Sequence, residues 1–319
     1  MRSAFFRALT ALAERDERIH LIVGDLGFGV VETFAQRFPK RFVNAGVAEQ
    51  NMTGIAAGMA LSGKIVFTYS IANFPILRCL EQVRNDVCYH DANVKIVAVG
   101  GGLAYGSLGS THHATEDLAI MRSLPRMVVV APGDPAEAEA ATRAVVAHSG
   151  PCYLRLGRAG ESRVHVGHLE FHLGKAIQLS DGKDLTVIST GGLLETAIRA
   201  AELLLHSGLQ ARVLSMHTVK PLDVDAVLSA ARETSAIFTL EEHSVIGGLG
   251  SAVAEVLAEA WEGLVTFKRF GLPPVFSAVV GTQEYLRAHH GLSAESLATA
   301  IRSTLERGGT RNLTAAAEG

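Results

Sequence analysis

Asn44–Ala45–Gly46–Val47–Ala48–Glu49–Gln50–Asn51–Met52 puts a carboxylate in the first turn of a helix that continues through Thr53, Gly54, Ile55, Ala56, Ala57, Gly58, Met59, Ala60 and Leu61. Almost nothing on that helix suits water, so the sequence predicts that it is buried. A carboxylate at the head of a helix gains from the N-terminal dipole. Buried without a partner, it pays a desolvation cost of roughly several kcal/mol, which a hydrogen-bonding ligand would offset. From the residues alone Glu49 reads equally as an ordinary first-turn acid or as a group waiting for a ligand.

Around this helix, short β-branched runs alternate with helical periodicity. Strands are predicted at 19–24, 64–69, 94–99, 127–131 and 152–156, then at 185–189, 212–215 and 236–240. Alternation of this kind specifies an α/β fold in two doubly wound domains, each with a parallel sheet covered by helices on both faces. The boundary is expected between Gly160 and Asp184, giving domains at 1–165 and 180–308. In the helix after Gly192, Leu194, Ile198, Ala201 and Leu205 are expected to face the sheet. Residues Arg307 to Gly319 carry no apolar stripe and are expected to fray.

The 319 residues are 48% hydrophobic and 19% charged, with a formal net charge of −3. A nucleic-acid partner would need a basic footprint, which is missing. The apolar runs are strand-sized and the N-terminus has no cleavage-site pattern, so a cytoplasmic protein with no membrane partner is expected. Cys79, Cys88 and Cys152 lack metal-site spacing and are expected to be reduced core thiols. Gly58–Lys64 has phosphate-loop spacing, but it leaves a helix and enters a strand, and Ile65 stands where a magnesium-binding hydroxyl belongs. Gly247–Gly248–Leu249–Gly250 could open a helix toward an anion, although tight-turn geometry explains it as well. Glu241, Glu242 and His243, just before it, are read as structural.

The segments FPKRFVNAGVAEQNM (38–52), EQVRNDV (81–87), STHHATEDLAIMRSLPRMVVVAP (110–132), LRLGRAG (154–160) and EEHSVIGGLGSAV (241–253) closely resemble the transketolase family, in the family's order. The resemblance covers the pyrimidine-binding domain and the C-terminal domain. It implies that Glu49 is the acid that hydrogen-bonds the aminopyrimidine of thiamine diphosphate, with Phe74 stacking on that ring. Ile71 falls where many members have a further aromatic. Asp25, in Gly24–Asp25–Leu26, matches a segment at the cofactor-side sheet edge. The GDG motif and downstream Asn that carry the diphosphate and its Mg2+ (or Ca2+) in this family are missing. The resemblance therefore implies the C-terminal subunit of a split transketolase, silent alone, whose separate N-terminal subunit holds the metal. It would pair with itself to give an α2β2 assembly.

For sugar substrates the resemblance places His112 at the hydroxyketone end of the donor, His113 beside it, and Arg2 and Arg158 at a phosphate, which a guanidinium fork suits. Gly100 stands where a phosphate-contacting His is usual, and Leu108 where an Asp binds the acceptor's α-hydroxyl. Both departures imply altered acceptor recognition and a specialised pathway. Three alternatives stay open on these residues: the β subunit of a 2-oxo acid dehydrogenase, a deoxyxylulose-phosphate-synthase-like half, and a non-catalytic scaffold.

Overall fold

A computed structural model describes the backbone of residues 1–317 and the side chains of residues 1–307. The expected fraying of the tail falls mainly on residues 308–319, outside the described side chains. Among the described residues twelve strands are formed: β1 (Ile19–Val23), β2 (Phe42–Asn44), β3 (Ile65–Ile71), β4 (Val94–Val99), β5 (Val128–Val130), β6 (Cys152–Leu156), β7 (Ile177–Ser180), β8 (Leu185–Ser189), β9 (Ala211–Ser215), β10 (Thr218–Lys220), β11 (Ala236–Ser244) and β12 (Thr266–Leu272). The first sheet has the order β10-β5-β6-β4-β3-β1-β2 and the second β12-β11-β8-β9-β7. Every pairing is parallel except at two edges, where β10 runs against β5 and β7 against β9. Burial at every position of β3 and β4 explains why they are mostly apolar rather than alternating, because central parallel strands are covered on both faces.

The eight predicted strands all form, together with four that the sequence pattern does not mark: β2, β7, β10 and β12. Of these, β10 changes the picture most, since it comes from the second half of the chain yet closes the edge of the first sheet. We place the domain boundary in the stretch between β6 and β7. The helix Leu194–His206 buries Leu194, Ala197, Ala200, Ala201 and Leu204, while Leu205 is 60% exposed. Its buried stripe thus follows the i, i+3, i+7, i+10 track rather than the expected i, i+4, i+7, i+11 track. The expectation of a fully buried Glu49 helix also needs correction. Met52, Ala56, Ala57 and Ala60 are buried, but Gln50, Asn51, Gly54, Gly58 and Leu61 are exposed on the opposite side.

Cys79, Cys88 and Cys152 are free and buried. The Gly58–Lys64 segment ends the helix at Leu61 and turns through Gly63, whose φ of +88° suits glycine. At the other glycine cluster, the N-terminus of the helix Leu249–Ala260 is capped from within. The buried Glu241 carboxylate accepts from the Leu249 and Gly250 amides at 2.7 and 2.8 Å.

Buried polar groups lock the domains together. Arg155 pairs with Asp117 (2.7 Å) and also donates to the carbonyls of Ala114 and Glu242, and Tyr153 donates to the same aspartate. Glu242 accepts from the Leu103 amide, Gln283 and Arg287. Among the described residues, no helix is long and apolar enough to cross a membrane.

Behind this junction His217 lies fully buried, its ring stacked on Phe171 at 3.8 Å. Burial lowers its pKa to about 4, against the opposing pull of Glu137 and Asp223 and with a further lowering by His165. The neutral imidazole is therefore the native form. Its contribution is complete above the unfolded value near 6.5 and is lost as pH falls from there toward 4, a difference of roughly 3 kcal/mol. His165, bonded to Glu137 at 2.8 Å, is shifted upward by that partner despite its own burial, so its contribution is lost in the opposite direction, as pH rises. We expect the wild-type urea midpoint to drop between pH 6.5 and 4 more steeply than that of His217→Asn. Parallel curves for the two proteins would refute this role.

Candidate active site

The turn from β2 into the Glu49 helix is fixed by an exchange of hydrogen bonds between two loops. Asn44 donates to the Asp25 carboxylate at 2.9 Å and accepts from the amides of Asp25 (3.1 Å) and Gly46 (3.0 Å). Asp25 has a left-handed φ of 55° and an exposed side chain. Its position makes it a brace for the loop that delivers Glu49. Glu49 begins the helix Glu49–Leu61 and is 3% exposed. One oxygen, Oε2, accepts from Arg78 Nη1 at 3.1 Å; the other, Oε1, is buried with no partner. Orphaned acceptors at this depth are rare and costly, by roughly 1–3 kcal/mol.

Arg78 and Tyr105 are the site residues that sequence reasoning missed. The Arg78 guanidinium lies over the Phe74 ring at 4.4 Å, and the Phe74 ring meets His112 edge-on at 5.4 Å. His112 is 6.4 Å from Tyr105, and Arg158 lies over the Tyr105 ring at 4.9 Å. These contacts form one continuous line from Glu49 to Arg158. Beyond it, a cavity of about 480 Å³ is lined by Arg2, Ala104, Gly106, Ser107, Arg158 and Gly281. Arg2 and Arg158, far apart in sequence, thus share one cavity.

The remaining residues divide. Ile71 ends β3 and is packed into the core beneath the site. Leu108 closes the short 3-10 turn Gly106–Leu108 and is 53% exposed, next in sequence to Gly106 and Ser107, which line the cavity. His112 Nδ1 is 3.0 Å from Thr111 Oγ1. His113 is buried, with Nε2 3.3 Å from the Gly106 carbonyl, and borders a separate, smaller cavity; it is not on the line that joins Glu49 to Arg158. Gly100 has a φ of +83°, and a β-carbon there would overlap the Tyr105 ring.

Phe74 and Arg78 sit four apart across the helical turn Phe74–Leu77, a spacing that could have flagged Arg78 from sequence. No local signal points to Tyr105, because its meeting with Gly100 is tertiary.

Comparison with known proteins bears on this arrangement. Residues 1–160 match the family model of the transketolase pyrimidine-binding domain, and residues 174–297 that of the transketolase C-terminal domain. An apulose-4-phosphate transketolase subunit of Phocaeicola vulgatus is 42% identical over 298 residues, covering 93% of this chain and 94% of that one. A 6-deoxy-6-sulfo-D-fructose transketolase subunit of a Clostridium species is 42% identical over 308 residues, covering 96% and 95%. Among solved structures, a split-gene transketolase described as an inactive beta4 tetramer superposes with a TM-score of 0.88 at 40% identity, covering 96% of this chain and 98% of its own.

Proposed function

The chain belongs to the transketolase family, and from that premise we propose that it is the C-terminal subunit of a split transketolase, transferring a two-carbon ketol unit from a ketose or ketose phosphate to an aldehyde. The observation that carries this reading is the orphaned Oε1 of Glu49, a buried acceptor on a carboxylate whose other oxygen is held by Arg78, the guanidinium that lies over the Phe74 ring. Thiamine diphosphate fits that donor–acceptor pattern, and when bound it supplies a nucleophilic carbon, C2 of its thiazolium ring.

Glu49 holds or accepts the proton at N1′ of the aminopyrimidine, and Phe74 presents a face to that ring. Ile71 lies beneath, and Asp25 keeps the Glu49 loop in place. His112 receives the hydroxyketone end of the donor. Arg2 and Arg158 bind a terminal oxyanion as two guanidinium donors. His113 supports the Gly106 turn rather than the sugar. The diphosphate and its metal belong to a separate N-terminal subunit. The exposed side of the Glu49 helix, with Gly54, Gly58 and Leu61, gives a self-association surface, consistent with an α2β2 assembly in the cytoplasm.

The test is ketol transfer by the chain mixed with its N-terminal subunit, thiamine diphosphate and magnesium, scored across sugar-phosphate donors and a panel of aldehydes. Absence of transfer from every donor would overturn the reading. Within it, Leu108 sets acceptor preference. An isobutyl group offers no acceptor to an α-hydroxyl, which costs about 1–3 kcal/mol. Leu108→Asp is expected to raise kcat/KM for ribose 5-phosphate or erythrose 4-phosphate about 5- to 100-fold relative to an aldehyde without that hydroxyl. An unmoved ratio would remove Leu108 from recognition.

A further inference from the structure

Gly100 looks like a simple loss in sequence, because the larger side chain usual in the family is gone. In the structure the space is filled. The ring of Tyr105 lies against the Gly100 backbone, close enough that any β-carbon there would overlap it, and the left-handed φ of +83° at Gly100 makes glycine doubly required. The same ring also carries Arg158, whose guanidinium sits over it at 4.9 Å. Ala104 and Gly106, on either side of Tyr105, line the cavity that Arg2 and Arg158 share. Burial raises the pKa of the Tyr105 hydroxyl, with Arg158 and Arg2 both pulling it down, so the phenol stays neutral at ordinary pH and does not repel an anion.

A guanidinium on a flexible stem loses rotamer freedom when it binds, and an aromatic face that holds it beforehand reduces that loss. We propose that Tyr105, packed into the volume a side chain at position 100 would take, is a positioning residue that seats Arg158 against a terminal oxyanion of the sugar and thereby sets the preference for a phosphorylated over an unphosphorylated sugar. It rests on the oxyanion reading of the Arg2–Arg158 cavity. Tyr105 acts through Arg158 and not on the reacting atoms.

The test uses the full chain and calorimetric dissociation constants for fructose 6-phosphate and fructose. In the wild type the phosphate ester should bind more tightly. Tyr105→Ala should weaken fructose 6-phosphate about tenfold more than fructose, and Tyr105→Phe should keep the wild-type ratio because it keeps the ring. In an Arg158→Met background, Tyr105→Ala should change the ratio no further, since a residue that works only through Arg158 has nothing left to position. Equal weakening of both sugars by Tyr105→Ala, no change, or additivity with Arg158→Met would each overturn the proposal. A wild type that fails to distinguish the two sugars would also overturn it. That last result would leave the ketol-transfer reading standing, since transfer by the assembled enzyme is scored separately.

Discussion

Replacing Glu49 by Gln is expected to lower kcat of the assembled enzyme about 10²- to 10⁴-fold, the range over which positioned acid–base groups act. The amide keeps the size of the carboxylate and can still meet Arg78, but it cannot take up or share a proton at Oε1, the atom the fold leaves buried without a partner. Stability should change little. Arg78 is about half exposed, so its pair with Glu49 is screened and worth at most about 1 kcal/mol. An uncharged side chain at the head of the helix also costs less to bury than an ionised one. Rate and stability should therefore separate: a near-wild-type thermal midpoint with slow turnover and slow proton–deuterium exchange at C2 of the bound cofactor. Exchange at the wild-type rate in Glu49→Gln would take this residue out of the chemistry.

Much of this site can be read in the sequence because it is local. Glu49 is marked by its place at the start of a helix, and the central strands by their mostly apolar, β-branched runs. β2 and β10 leave no such mark: each is three residues long, and β10 is defined only by its antiparallel partner in the other half of the chain. The same limit explains the site. Phe74, His112 and Arg158 can each be marked singly, but their order along one line depends on Tyr105 filling the space above Gly100. Likewise the loss at position 100 can be seen in sequence and its compensation cannot, because a glycine shows that a side chain is missing without showing what takes the volume. The open side of the Glu49 helix escapes a sequence reading for a related reason. Small residues such as Gly54 and Gly58 suit close packing, and a single chain does not supply the surface they pack against.

The chain alone, with thiamine diphosphate and magnesium, is expected to show no turnover, and addition of the N-terminal subunit should raise the rate by at least about 10³-fold. The reasoning is one of division. Glu49 and Phe74 offer the pyrimidine end of the cofactor an acceptor and a ring face, while the diphosphate end carries the charge and needs a metal and several donors. The sequence has no GDG motif with a downstream Asn to supply them. Losing the interactions of that end weakens cofactor binding by several kcal/mol, and each 1.4 kcal/mol is about a factor of ten. Self-association and catalysis should accordingly come apart. Sedimentation of the isolated chain should give a species larger than the monomer, held partly through the open Gly54–Gly58 side of the Glu49 helix, and that species should be inactive. Turnover by rigorously purified chain would show that this polypeptide completes the cofactor site unaided, and the two-subunit reading would then be abandoned.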